Sequence, residues 1–231
     1  MLTVNLNYIK LENDNANKSL LVKSNFILNN NSIYTILGNN GSGKSSLLLA
    51  LVRMLNNNFD VDASVSLDDF DLYKAELEDL NKFRTANFRL LFQDPSAAFD
   101  PLRKMGFYFN LTNATVDEIQ EELKYFQLPK LSELKKYYPY ELSVGMLQRV
   151  SIILALLCKP KVMLMDEPTS ALDLPIINLL TNRLKEYVTH DKRIILLVTQ
   201  DISFVRHVSS HIAKLSEGRL SNFLPPTEYL K

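Results

Sequence analysis

Apolar and polar residues alternate along 2–10 and again along 20–28, the period of two that puts every second side chain on one face of a strand. The polar, Asn-rich stretch between them predicts a turn. Ser32–Leu37 is a short apolar run rich in β-formers and leads into glycines. Ser45–Leu55 is apolar at most positions, which predicts a buried helix, and Val61–Leu67 predicts a further strand. Lys74–Arg84 has the charged, amphipathic pattern of a surface helix, and Phe88–Phe92 again reads as a strand.

The pattern then changes. Asp94–Pro101 carries two prolines and predicts a loop. Thr115 with Glu118 three residues on is a capping box, and it opens a helix over 115–126. Residues 102–158 are mostly helical in pattern, as expected of an all-helical lobe inserted into an α/β body. Val162–Met165 reads as a buried strand, and Pro175–Val188 as a helix with its proline in the first turn, where a missing N–H costs nothing. Ile194–Thr199 is a strand of Ile, Leu and Val, and 211–223 forms two short strands around Glu217-Gly218. Strands alternating with helices imply a mainly parallel sheet covered on both faces.

Composition narrows this. A chain of 231 residues that is 46% hydrophobic can bury a proper core. Its 26 basic and 26 acidic residues cancel, so no net field draws it to nucleic acid or anionic lipid, and nucleic acid is not an expected partner. Its single cysteine, Cys158, reads as a small core hydrophobe and forms no internal disulfide, which fits a reducing compartment. His190, His207 and His211 show no metal-ligand spacing. The start of the chain reads as a strand rather than a signal peptide, and no apolar run approaches the roughly 20 residues of a membrane span. A membrane role would come through a partner.

Two segments carry chemistry. Gly38-Asn39-Asn40-Gly41-Ser42-Gly43-Lys44-Ser45 matches the phosphate-binding pattern G-x-x-x-x-G-K-[ST], with a predicted strand before it and a helix after. Glycines let backbone N–H groups approach phosphate oxygens, and the helix adds its positive end. Lys44 would reach the β- and γ-phosphates, and the Ser45 hydroxyl would bind Mg²⁺. Second, the apolar strand at 162–165 ends in Asp166-Glu167. Asp166 is suited to hold Mg²⁺, and Glu167 to orient or deprotonate the attacking water. These readings predict the P-loop NTPase class of α/β fold, with a mainly parallel core sheet.

GNNGSGKSS at 38–46, Gln93 within FQDP, LSVGMLQR at 142–149, MDEP at 165–168 and SALD at 170–173 together resemble the ABC ATPases, in that family's order and at about its spacings. The resemblance implies an N-terminal antiparallel β part, a core of 1–93 and 159–231, and a helical subdomain of about 94–158. It implies ATP and Mg²⁺ as ligands, with Ser46 completing the phosphate loop and Gln93 sensing Mg²⁺ and the γ-phosphate. It also implies a head-to-tail pair in which Ser143 and Gly145 of one subunit face the ATP of the other, and Asp173 communicates between the two sites. The implied partners are a second ATPase subunit, two transmembrane permeases and an extracytoplasmic substrate-binding protein. The implied place is peripheral, on the cytoplasmic face of the membrane. FQDPSAAFDP and YPYELSVGMLQR resemble more narrowly the branch that imports oligopeptides, dipeptides, nickel and metal–chelator complexes.

The resemblance breaks at three points. Gln200, in Thr199-Gln200-Asp201, stands where the family usually has a histidine; it can donate a hydrogen bond but carries no positive charge, so slow turnover is expected. Val144 replaces the first glycine of the signature. No aromatic aligns clearly with the adenine-stacking position: Leu11 falls near it, and Tyr8 is a substitute. These departures imply one half of an unequal pair. Little of the C-terminal extension common in the peptide-importer branch is expected beyond Arg219. An exporter ATPase and a non-transport ATP switch with little catalysis are the alternative functions.

Overall fold

The alternating segments at the start of the chain and the strand–helix alternation that follows build two separate sheets. The computed structural model describes residues 1–13 and 16–231. The first sheet holds β1 (Leu2–Asn13), β2 (Ala16–Leu28), β4 (Phe59–Leu67) and β5 (Phe70–Asp71), antiparallel in the order β2-β1-β4-β5. β1 and β2 run several residues further than the alternation predicted. The strands take up most of the predicted turn, and 14 and 15 lie outside the described residues.

The second sheet has the order β10-β9-β3-β8-β7-β6, made of β3 (Ser32–Leu37), β6 (Phe88–Leu91), β7 (Val162–Asp166), β8 (Ile194–Thr199), β9 (His211–Ser216) and β10 (Arg219–Leu220). All its pairings are parallel except that of β10 with β9. β7 and β8 are buried at every position, as continuous apolar runs covered on both faces should be. The two-residue period splits them between two cores. Met163 and Met165 pack on the side of the later helices, whereas Val162 and Leu164 pack on the side of the first sheet.

Helices fill the connections: α1 (Lys44–Leu51), α2 (Leu77–Asn87), α3 (Met105–Asn110), α4 (Val116–Tyr125), α5 (Leu131–Leu134), α6 (Val144–Leu157), α7 (Leu174–Val188), α8 (Ile202–Val208) and α9 (Pro226–Tyr229). α3 to α6 all fall between β6 and β7. The capping box is present in both halves: Glu118 N–H donates to Thr115 Oγ1 at 3.2 Å, and Thr115 N–H donates to Glu118 Oε2 at 2.8 Å. α1 is shorter than the apolar run suggested. It stops at Leu51, and Arg53 takes a left-handed φ of 52° from which its guanidinium donates to the carbonyls of Leu72 and Ala75, at 3.3 and 2.9 Å. α2 begins three residues later than predicted and runs directly into β6. α8, not foreseen in the sequence, opens on Asp201, whose Oδ1 accepts from Phe204 N–H at 3.0 Å.

α4 is tied to α7 by an ion pair. Arg183 on α7 bonds both carboxylate oxygens of Glu122 on α4, with Nε to Oε2 at 3.2 Å, and the Tyr125 hydroxyl donates to the Leu179 carbonyl at 3.0 Å. The Glu122 side chain is 9% exposed and that of Arg183 28%. Replacing Arg183 by Met strands a buried carboxylate. Urea denaturation should show a loss of about 2 kcal/mol, below the roughly 3–5 kcal/mol of a fully buried pair because Arg183 keeps some solvent. Adding Glu122→Leu should recover most of that loss; no recovery would mean the pair is not the source.

Candidate functional site

Parallel strands all end on the same side, so β3, β7 and β8 bring their C-terminal residues together, the usual place for a ligand in an open α/β sheet. Residues 38–43 leave the end of β3 and enter α1. Gly43 caps that helix at a φ of 95°, a conformation that a side chain would strain, and Gly41 is also left-handed at 76°. The first turn of α1 thus opens with its backbone N–H groups directed into a cleft of about 280 Å³. Asn40, Gly41, Gly43, Lys44, Ser45, Ser46, Gln93, Asp166 and Glu167 line it, with Leu20 from β2.

Lys44 is buried, 6% exposed, and its ammonium donates to the carbonyls of Gly38 and Asn39 at 2.8 and 3.1 Å. It also lies 3.8 Å from Glu167 Oε1, close enough for electrostatic attraction and too far for a hydrogen bond. Glu167 is itself buried and sits at a φ of 43°, a strained value for a residue with a side chain. Two contacts hold it there: its N–H donates to Val198 O at 2.9 Å, and its Oε2 accepts from the Thr199 hydroxyl at 2.7 Å. Oε1 remains toward Lys44 without a hydrogen-bond partner among the described residues.

Asp166 ends β7. Burial raises its pKa above the ordinary carboxylate value and the neighbouring Glu167 pushes the same way, while the Ser45 hydroxyl and the Lys44 ammonium oppose the shift. Its Oδ1 is buried with no hydrogen-bond partner among the described residues. A buried carboxylate oxygen of this kind, beside a hydroxyl and a second acid, fits a hard divalent cation with oxygen ligands. Ser42 Oγ is likewise buried and unpartnered beside the loop, as a phosphate acceptor site would leave a donor.

The other predicted residues take different places. Gly38, Asn39 and Ser42 support the loop without lining the cleft. Gln93 is exposed just past β6, at the cleft edge. Ser143 caps α6, its Oγ accepting from Met146 N–H at 3.2 Å, and it is exposed, as is Val144 beside it. Gly145 is a close-approach residue: a Cβ there would stand 2.8 Å from Ala171 O, so the start of α6 lies against the 170–173 segment. Asp173 caps α7, accepting from Ile176 N–H at 3.3 Å. Gln200 is exposed in the turn after β8 and does not line the cleft. Tyr8 and Leu11, the residues considered for base stacking, do not line it either.

Two residues were not foreseen. Thr199 positions Glu167, and only its place at the end of β8 in the Thr-Gln-Asp segment hinted at that. Gln148, wholly buried on α6, donates to Pro168 O at 3.2 Å and ties the signature helix to the loop after Glu167. Cys158 is only half-buried, at the wall of a groove of about 290 Å³ between β6 and the later helices, rather than in the core interior.

The chain is similar to known proteins. The family model described as ABC transporter matches residues 21–170. The oligopeptide transport ATP-binding protein OppD of Haemophilus influenzae is 30% identical over 225 residues, 94% of this chain and 70% of that protein. Escherichia coli OppD is 30% identical over 208 residues, covering 86% of this chain and 62% of its own length. The chain therefore spans only about two thirds of these curated relatives. The ATP-binding cassette MJ0796, solved as a dimer bound to ADP and Pi, superposes with a TM-score of 0.80 at 23% identity over 98% of this chain and 99% of that one, which is a likeness of fold. Matched by the family model over 21–170 and by a relative over 94% of its length, the chain belongs to the ABC transporter family as one of its ATP-binding domains.

Proposed function

We propose that this chain is the ATP-hydrolysing subunit that powers an importer of peptides, with nickel and metal–chelator complexes as the other cargo of the same branch. The observation that carries the ATPase reading is the cleft in which Lys44, Asp166 and Glu167 converge beside the phosphate loop. The peptide cargo is supported by relatives named for oligopeptide and dipeptide transport. In this reading 1–93 and 159–231 form the nucleotide-binding core and about 94–158 the helical lobe that contacts the membrane subunits. The subunit works from the cytoplasmic face with two permeases, a binding protein and a second, different ATPase. No helix among the described residues is long and apolar enough to cross a membrane, so permeases would supply the passage.

The chemistry follows from residues in place. Loop N–H groups and the Lys44 ammonium bind and neutralise the phosphate tail. Ser45 and Asp166, with Gln93 at the cleft edge, would hold Mg²⁺, which when bound draws charge from the phosphates. Glu167, fixed by Thr199 through one oxygen, holds the other ready to accept a proton from the attacking water. A partner's Ser143 and Gly145 segment would complete the site by presenting a helix start to the γ-phosphate. The dimeric state of MJ0796 supports such a pairing.

Glu167→Gln keeps the shape of the cleft and removes the base. In the assembled transporter we expect ATPase activity to fall at least about 100-fold with nucleotide affinity kept; retained hydrolysis would remove Glu167 from the mechanism. Gln200→His, which restores a chargeable group after β8, should raise turnover several-fold in the same assay, and an unchanged or lower rate would show that Gln200 does not limit it.

A further inference from the structure

Glu167 is held away from the ammonium it faces. Its Oε1 stands 3.8 Å from Lys44 Nζ, about 1 Å beyond a charge-assisted hydrogen bond. Charge alone would close that gap, since both groups are buried and opposite in sign. Lys44 also has a donor for the contact. The carbonyls of Gly38 and Asn39 take two of its three N–H groups, and among the described residues no hydrogen-bond acceptor takes the third. What restrains the carboxylate is its other oxygen, Oε2, to which the Thr199 hydroxyl donates at 2.7 Å.

A hydroxyl has one proton to give, and here its direction is fixed. Asp201 N–H donates to Thr199 Oγ1 at 3.1 Å, so the oxygen accepts on that side and turns its own proton to Glu167. Asp201 is in turn fastened to α8. Its Oδ1 accepts from Phe204 N–H at 3.0 Å, and its carbonyl accepts from Val205 N–H at 3.1 Å. Phe204 and Val205 are buried, and Thr199 is fully so. The packing of α8 thus aims a single O–H at one oxygen of Glu167. Thr199 does not line the cleft, so it reaches the nucleotide site only through that carboxylate.

We propose that Thr199 is a positioning residue that keeps Glu167 available as a base by holding it off Lys44. The proposal deepens the reading of Glu167 as proton acceptor and rests on it. With the hydroxyl in place, Oε2 is occupied and Oε1 is the oxygen left to take a proton from water. Without it, Oε2 is a buried carboxylate oxygen that has lost its donor, which is costly, and the Lys44 ammonium beside it has an N–H to spare. The carboxylate then closes on the ammonium, and the base is spent on an ion pair.

The assembled transporter tests this with Thr199→Val, which keeps the branched shape and loses the hydroxyl, and Thr199→Ser, which keeps the hydroxyl. The expected result is a kcat for Mg-ATP about 10- to 100-fold lower in Thr199→Val, a Kd weakened by no more than about fivefold, and a rate within about threefold of wild type in Thr199→Ser. Thr199→Ala makes the same deletion with less bulk and replaces Thr199→Val should that variant not fold. On top of Glu167→Gln, the deletion should change the remaining rate by less than about twofold, because no base is left to position. A wild-type kcat in the deletion variant, a Thr199→Ser variant as slow as the deletion, or a full effect on top of Glu167→Gln overturns the proposal. Full hydrolysis by Glu167→Gln alone instead removes the base reading beneath it.

Discussion

Everything at the site depends on a buried ammonium held between backbone carbonyls and two buried carboxylates. Lys44 is tethered to Gly38 and Asn39 and lies within 4 Å of Glu167, while Asp166 ends the wholly buried strand just before Glu167. Charges this far from water are costly alone and interact strongly with one another. Asp166 registers that cost as a raised pKa, and its Oδ1 and Glu167 Oε1 are acceptors without donors among the described residues. A triphosphate with a divalent cation brings the missing charges of both signs to the same few atoms. The parallel sheet makes this possible, because only parallel strands deliver the phosphate loop and the acid pair to one edge.

The strained backbone at Glu167 extends the same logic. A left-handed conformation at a residue with a side chain persists when its surroundings over-determine it. Here Val198 and Thr199 from the neighbouring strand hold it, and Gln148 on α6 holds the next residue in the chain. α6 also presents Ser143 and Val144 to solvent and lies against the 170–173 segment through Gly145. The helix proposed to meet a partner is thus fastened to the loop that follows Glu167, a direct physical link between the two.

Much of this was legible in the sequence, for identifiable reasons. The strand at 194–199 and the capping box at Thr115 rest on local signals, a short continuous run of Ile, Leu and Val and a side chain bonding its own helix start, and both stand where predicted. The phosphate loop was readable because glycines at fixed spacing have a backbone meaning. Less readable was whatever depends on distant partners. α1 ends where Arg53 finds the carbonyls of Leu72 and Ala75, about twenty residues away in sequence. Thr199 and Gln148 act through contacts to Glu167 and Pro168 that no local pattern displays. Cys158, apolar in sequence context, lies at a groove wall because the helices around it leave a gap. Gln200 was singled out by resemblance, and its exposed place outside the cleft is a fact of tertiary structure.

The most direct measurement is equilibrium binding of Mg-ATP to the purified chain, compared with Lys44→Met, a substitution that keeps length and burial while removing the ammonium. Saturable binding by the wild type and loss of at least about 100-fold in affinity in the variant, the scale of about 2.7 kcal/mol for a buried charged contact, is the predicted result. Equal affinity of the two proteins would contradict the account, because the ammonium on which the site depends would then take no part in gripping the nucleotide.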